Sequence, residues 1–184
     1  MRALVIIFLF CTVHLSGQSF QEKVTTTLAE SNIELFAPLE QGAFSLKKDH
    51  NAFFKTDFQI MHTDKVEVRV EVMSYPKDSL EMSNPHVKNG VRLGHLIDNV
   101  NDDPVSLHTL GSEDLDFFGA DWATQSMFNP KDEFSPKKNC QLITLYKEEV
   151  GLIFLYLLFD DIEKYKDEWR YLIGFGEEEV IPGG

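Results

Sequence analysis

Cysteine is nearly missing from this chain: Cys11 and Cys140 are the only two in 184 residues. Cys11 lies inside an apolar N-terminal block, so Cys140 is left without a partner for an internal bridge. A disulfide scaffold is therefore excluded, and packing must hold the fold together. Cys140 sits in an alternating apolar stretch, where a lone thiol reads as a small buried hydrophobe; a nucleophile is the competing reading. Basic residues are also scarce, with 17 Lys and Arg against 30 Asp and Glu, a formal charge of −13. Proteins that neutralise phosphates need clustered cations, so the balance speaks against a nucleic-acid partner and against anionic membrane surfaces. Solubility is one use of this acidity, and a specific cationic ligand is the other.

Apolar runs long enough to span a bilayer, about 18 residues or more, do not occur. The apolar block Ala3–Val13 instead follows a single positive charge at Arg2 and precedes Ser16-Gly17 and the polar Gln18. That pattern matches a secretory leader, residues 1–17, with cleavage expected after Gly17 and export to a periplasm or to the exterior. A first buried strand and an uncleaved anchor are the competing readings of the block. Lipid attachment at Cys11 is disfavoured by the bulky Phe8-Leu9-Phe10 before it. No stable membrane insertion is expected once the leader is gone. The remainder fits one domain, long enough to bury roughly 70% of the surface its unfolded chain exposes.

Catalytic signatures are absent as well. The chain has no nucleophile elbow G-x-S-x-G and no phosphate-cradling glycine loop; Gly174-Phe175-Gly176 runs into three glutamates that would repel phosphate. His50, His62, His86, His95 and His108 offer no i, i+4 pair of the kind that holds zinc. The oxygen-rich Asp98–Asp103 segment suggests calcium, but Val100 and Thr109, or Leu110 in the next register, stand where an EF-hand loop needs oxygen ligands. Asp160-Asp161 and Glu148-Glu149 read as caps and solvated turns. No catalytic residue, cofactor or metal ligand is therefore assigned.

What is present is a patterned α+β domain over residues 33–175. A polar lead-in, 18–32, reads as a short helix or a mobile arm, and a glycine-ended acidic tail, 176–184, as disordered. Ile33–Phe36 and Ala43–Lys47 read as two short strands around the turn-prone Pro38–Gly42. Val66-Glu67-Val68-Arg69-Val70-Glu71-Val72 alternates at the strand period, with a buried valine face and a wet charged face. Pairing it with Asp57–His62 so that Ile60 meets Val68 and Phe58 meets Val70 puts the apolar side chains on one face; a one-residue slip would expose them.

Residues 76–89 read as a long connection. Asn89 then caps a helix with Leu93, Leu96, Ile97 and Val100 on one face, ending before Pro104. A shorter helical stretch takes in Leu115, Phe118 and Trp122, although Ala123–Phe128 reads equally well as extended. Gln141–Tyr146 and Leu152–Phe159 are strands, and the charge-free LIFLYLLF must be central and buried on both faces. Gly151 supplies a positive φ at the turn between them. Asp160–Glu163 opens a closing helix over Ile162, Tyr165, Trp169 and Leu172, ended by Gly174.

Two short strands, a one-sided hairpin, a helix, a second hairpin and a closing helix, with Gly119-Ala120-Asp121-Trp122 and Asn129-Pro130-Lys131 ahead of the LIFLYLLF strand, resemble the PsbP-like superfamily. The resemblance covers most of residues 33–175 at the level of element order. It implies an antiparallel β-sheet flanked by helices, an α/β/α sandwich, acting as a binding or assembly module. No site residue is carried over from it. The expectation for function is an exported, non-catalytic domain that binds a protein partner or another envelope component. Its contact is expected at a sheet edge or at a surface made by Phe117, Phe118, Asp121 and Trp122, the aromatic cluster beside Gly119, for which core packing is the competing role. The alternative is a small exported hydrolase or ligand carrier with a pocket between the sheet and the helix around Leu93–Val100.

Overall fold

The computed structural model describes residues 19–63, 66–74, 84–98 and 105–176. In chain order the elements are α1 (Phe20–Glu30), β1 (Ile33–Leu35), β2 (Phe44–Lys47), β3 (Phe58–His62), β4 (Glu67–Ser74), α2 (Pro85–Leu96), β5 (Ser106–Thr109), α3 (Ser112–Phe118), β6 (Trp122–Phe128), β7 (Asn139–Lys147), β8 (Gly151–Phe159) and β9 (Ile173–Phe175), with short 3₁₀ turns at Leu39–Gln41, Ile162–Lys164 and Asp167–Arg170. Seven strands form one antiparallel sheet in the order β2-β3-β4-β8-β7-β6-β5, and β1 pairs with β9 apart from it. The class is α+β, with helices beside a large antiparallel sheet.

The LIFLYLLF strand lies at the centre of the seven, and all nine residues of β8 are buried. Its odd-numbered members Ile153, Leu155, Leu157 and Phe159 enter one core with Val68, Val70, Ile143 and Leu145, closed by Val24 and Leu28 of α1, Phe118 of α3, Trp169 and Leu172. Its even-numbered members Leu152, Phe154, Tyr156 and Leu158 enter a second core with Cys140 and Leu142, closed by Leu93 and Leu96 of α2 and by Phe54 and Phe134 from loops. A strand apolar on both faces is what two such layers require.

The hairpin register reads as expected, with Phe58 opposite Val70 and Ile60 opposite Val68. The lead-in is a helix rather than an arm, started by a capping box between Ser19 and Glu22. The leader (1–17) and most of the acidic tail (177–184) lie outside the described residues, as do residues 99–103 of the oxygen-rich segment.

Several expectations are corrected. The charged face of β4 is not wet: Arg69 is only 6% exposed, because the loops carrying Phe54 and Phe134 and helix α2 cover it. Helix α2 begins at Pro85, with Asn84 rather than Asn89 as its N-cap residue, so the last part of the connection is already helical. Proline at the first helical position carries no donor that would be left orphaned, which favours this start. The helix ends at Leu96, and Ile97 bridges Pro130; Leu93, Leu96 and Ile97 still face the sheet, and Val100 lies outside the described residues.

Trp122 is not helical but opens β6, which makes Ala123–Phe128 extended. The closing helix is absent. Two 3₁₀ turns replace it, and Gly174 sits in β9 against Glu34 of β1. Long-range pairing wins there over local periodicity: Phe36 and Ala37 donate their amides to the Leu172 carbonyl at 2.8 and 3.2 Å. A Cβ on Gly174 would approach the Phe36 ring at 2.9 Å and the Phe118 carbonyl at 3.0 Å, so glycine serves close packing and not a helix stop. Tyr165, Trp169 and Leu172 nevertheless pack inward, while Ile162 is 55% exposed. Gly176 donates its amide to the Asn32 carbonyl at 2.9 Å.

Asn89, displaced from its expected capping role, bonds the sheet. Its Oδ1 accepts from Thr144 Oγ1 at 2.8 Å and its Nδ2 donates to Thr124 Oγ1 at 3.4 Å, all buried. Asn89→Ala is expected to destabilise the chain by about 1–3 kcal/mol, since two threonine hydroxyls would lose their partner away from water. Urea unfolding of the variant, alone and combined with Thr144→Val, checks this: the second change should add less than it costs alone.

Candidate functional site

Helix α3 runs for only seven residues before Gly119 stops it at φ +59°, where a Cβ would meet the Phe175 carbonyl at 2.6 Å. Such a short, abruptly ended helix sends its last two residues in opposite directions. Phe118 is fully buried and stacks on Tyr171 with ring centroids 5.3 Å apart. Phe117 stays 48% exposed, in edge contact with Phe36 at 5.4 Å and Tyr171 at 4.7 Å, and Phe36 is itself 37% exposed. Asp121 accepts the Glu148 amide at 2.7 Å, and half-buried Trp122 meets the His86 ring at 4.5 Å. The four residues singled out in the sequence thus do different jobs. Phe118 packs the core, Asp121 fixes the β7–β8 turn, Trp122 meets α2, and Phe117 faces outward.

Beside Phe117 runs a cleft between the start of α3 and the Asp167–Arg170 turn, lined by Gly111, Glu113, Asp114, Glu168, Arg170 and Tyr171. Arg170 forms its floor. One guanidinium nitrogen donates to Asp114 Oδ1 at 2.9 Å, to the Tyr171 hydroxyl, and lies 3.3 Å from Asp167; the other donates to Gln125 of β6 at 3.4 Å. The guanidinium also sits 4.5 Å from the centre of the Tyr171 ring. The Tyr171 hydroxyl donates to the same Asp114 oxygen at 2.5 Å. Burial, then this bond to Asp114, hold its phenol above the ordinary tyrosine range.

With Arg170 matched by Asp114 and Asp167, the rim carries the exposed Glu113 and Glu168, of which, among the described residues, only Glu168 has a cation nearby, Lys166 at 3.9 Å in a solvent-exposed pair, so the rim stays acidic on balance. An acidic rim beside an exposed aromatic ring favours a cationic group over an anionic one. Sequence reasoning missed Arg170, Asp114 and Tyr171. Positions 114 and 170 are 56 residues apart, and no local motif joins them.

The other charged assembly is closed. On the covered face of β4, Arg69 donates to Glu67 at 2.5 Å and to the Phe134 carbonyl at 2.8 Å. Arg92 of α2 pairs with Glu71, which also accepts the Tyr156 hydroxyl at 3.0 Å. Asp49 is held below the usual carboxylate range: burial opposes this, but bonds from Thr56 and Asn51, with the nearby Arg69, outweigh it. Cys140 is fully buried among these residues, and burial pushes its thiol well up, so it is no ready nucleophile. At the α2–sheet interface Asn89, Thr124 and Thr144 satisfy one another, as do Arg92, Glu71 and Tyr156, while the buried Ser126 hydroxyl of β6, on the Thr124 side of the sheet, has no hydrogen-bond partner among the described residues.

Among the described residues, no group of three or more His, Cys, Asp and Glu is placed to hold a metal ion. No helix among them is long and apolar enough to cross a membrane. No protein-family model, curated protein or solved structure matches the chain.

Proposed function

We propose that the chain is an exported, non-catalytic binding module of PsbP-like architecture, although two 3₁₀ turns and β9 stand where that pattern has a closing helix, and that it takes a protein partner at the cleft beside α3. One observation carries this reading: Phe117 and Phe36 stand exposed side by side at a cleft whose lining cation among the described residues, Arg170, is already matched by carboxylates. Exposed aromatic rings with one anchored edge are the kind of contact that contributes most at protein interfaces. The alternative of a hydrolase or ligand carrier with its pocket under α2 finds less support, because Asn89, Arg92, Glu71, Thr144 and Tyr156 are paired with one another there.

A photo-cross-linking amino acid placed at Phe117, in cells that produce and export the chain, tests the reading. A single reproducible protein adduct is expected from position 117 and not from position 87 on the outer face of α2, where Val87 is 56% exposed. The same adducts from both positions, or none from 117, would remove the cleft as the binding site.

A further inference from the structure

We infer that the free edge of β5 takes up an extended segment of the partner polypeptide, one in which basic and apolar side chains alternate, as an added strand along the rim of the cleft. This rests on the binding-module reading and names the class of partner.

The backbone supplies the first argument. Among the described residues, strand β5 is one end of the seven-stranded sheet and pairs with β6 alone. The Leu110 amide bonds the Ala123 carbonyl at 3.0 Å, which makes that opposed pair a hydrogen-bonded one. By the alternation of antiparallel ladders, His108 and Ser106 also bond inward, and the amides and carbonyls of Leu107 and Thr109 point away from β6. Among the described residues no backbone hydrogen bond from outside the sheet ladder reaches them. The two sheet edges differ in chemistry: β2 ends in Lys47 and is followed by Lys48, charges of the kind that discourage strand addition, whereas Val105–Leu110 carries no Lys, Arg, Asp or Glu.

The side chains supply the second. His108 lies opposite Gln125, the residue that Arg170 reaches, so this face of β5 borders the cleft. Just past Thr109 the chain passes through Gly111 into Glu113 and Asp114 of the cleft wall, with Glu168 across from them. Cations projecting from an added strand on this face would meet the exposed Glu113 and Glu168, Asp114 being taken up by Arg170 and Tyr171. On the opposite face Leu107 is 59% exposed and Val105, of the same parity, 39% exposed, which calls for apolar side chains. Alternation at the strand period is therefore what the edge reads. A second copy of this chain is a poor occupant, since it would bring another uncharged edge and another pair of glutamates, at −13 per chain, and no cations.

The probe is a fluorescein-labelled heptapeptide of alternating Lys and Val, with a Glu–Val heptapeptide as its counterpart, titrated with the purified full chain at about 50 mM salt and read by anisotropy. Binding of the Lys–Val peptide about tenfold or more tighter than the Glu–Val peptide is expected. Leu107→Pro removes an outward amide and no β5–β6 bond, and should weaken it about tenfold. The double variant Glu113→Lys with Glu168→Lys alters only exposed side chains, so it decides the matter should the proline variant misfold; it should weaken binding about tenfold and flatten the salt dependence. No binding of the Lys–Val peptide, or binding unchanged by the double charge reversal, would overturn the inference. A partner cross-linked at position 117 alongside a negative peptide titration would leave the binding-module reading standing and remove strand addition alone.

Discussion

Replacing Arg69 by alanine is expected to destabilise the chain by about 3–5 kcal/mol, a large share of the roughly 5–15 kcal/mol that separates folded from unfolded domains. The Arg69 side chain is 7% exposed and its partner Glu67 15% exposed, so neither charge can fall back on water. The guanidinium serves three neighbours at once: the Glu67 carboxylate at 2.5 Å, the Phe134 carbonyl at 2.8 Å, and the Phe134 ring, whose centroid lies 4.7 Å away. Alanine would strand the carboxylate and the carbonyl, and remove the lid contact that holds Phe134 over the second core. Removing one partner is what makes a buried pair costly; the pair itself contributes little relative to an apolar substitute. The double change Arg69→Met with Glu67→Leu is accordingly expected to recover most of the loss. Urea unfolding of the two variants checks this. A cost under about 1 kcal/mol for Arg69→Ala would mean that the loops over β4 admit water freely.

That buried arginine also marks where sequence reading ran out. Period-two alternation in VEVRVEV correctly gave the strand, its valine face and its register against Phe58 and Ile60. It could not tell that the other face would be roofed, because the roof comes from α2 and from loops around Phe54 and Phe134, distant in sequence and without a periodic signal of their own. LIFLYLLF carried more information, since a charge-free strand needs apolar partners on both sides and so announces two layers.

The closing segment shows the opposite failure. Ile162, Tyr165, Trp169 and Leu172 have helical spacing, yet the chain turns twice and pairs β9 with β1, more than a hundred residues earlier. Spacing reported that three of these side chains face inward, but not the backbone that delivers them. Asp161 still caps, accepting the Glu163 amide at 3.1 Å, although only a 3₁₀ turn follows.

The candidate site was legible only in its aromatic half. Phe117 and Phe118 stood out beside Gly119, but a linear pattern does not say which of two adjacent rings points inward; the left-handed Gly119 under the Phe175 carbonyl decides that. The cleft floor depends on the 3₁₀ turn that sets Arg170 against Asp114, and a helix over the same residues would have placed it elsewhere. A sheet edge was one of the contacts expected, but the strand that forms this edge was not read as a strand, since Ser106–Thr109 alternates too weakly.

Gly151→Ala is expected to be the most damaging single-methyl change in the chain, at about 3 kcal/mol or more. The residue has φ +150°, and a Cβ there would lie 2.1 Å from the Met73 carbonyl oxygen and 3.0 Å from the Ser74 Cα. Both obstacles are backbone, so no side-chain rotation relieves them. Nor can the strands move apart: Gly151 pairs with Ser74 on one side and with Lys147 on the other, in the middle of the sheet. Two residues earlier, Glu149 holds φ +59° with a Cβ in place. Left-handed geometry costs an L-residue about 1–2 kcal/mol, of which glycine would recover part while loosening the unfolded chain. Glu149→Gly should therefore stabilise the chain by up to about 1 kcal/mol. Opposite signs for two changes in one turn test the geometry more sharply than either alone. Thermal and urea midpoints of both variants provide the measurement, and an alanine at 151 tolerated within about 1 kcal/mol would refute the close approach of β4 to the start of β8.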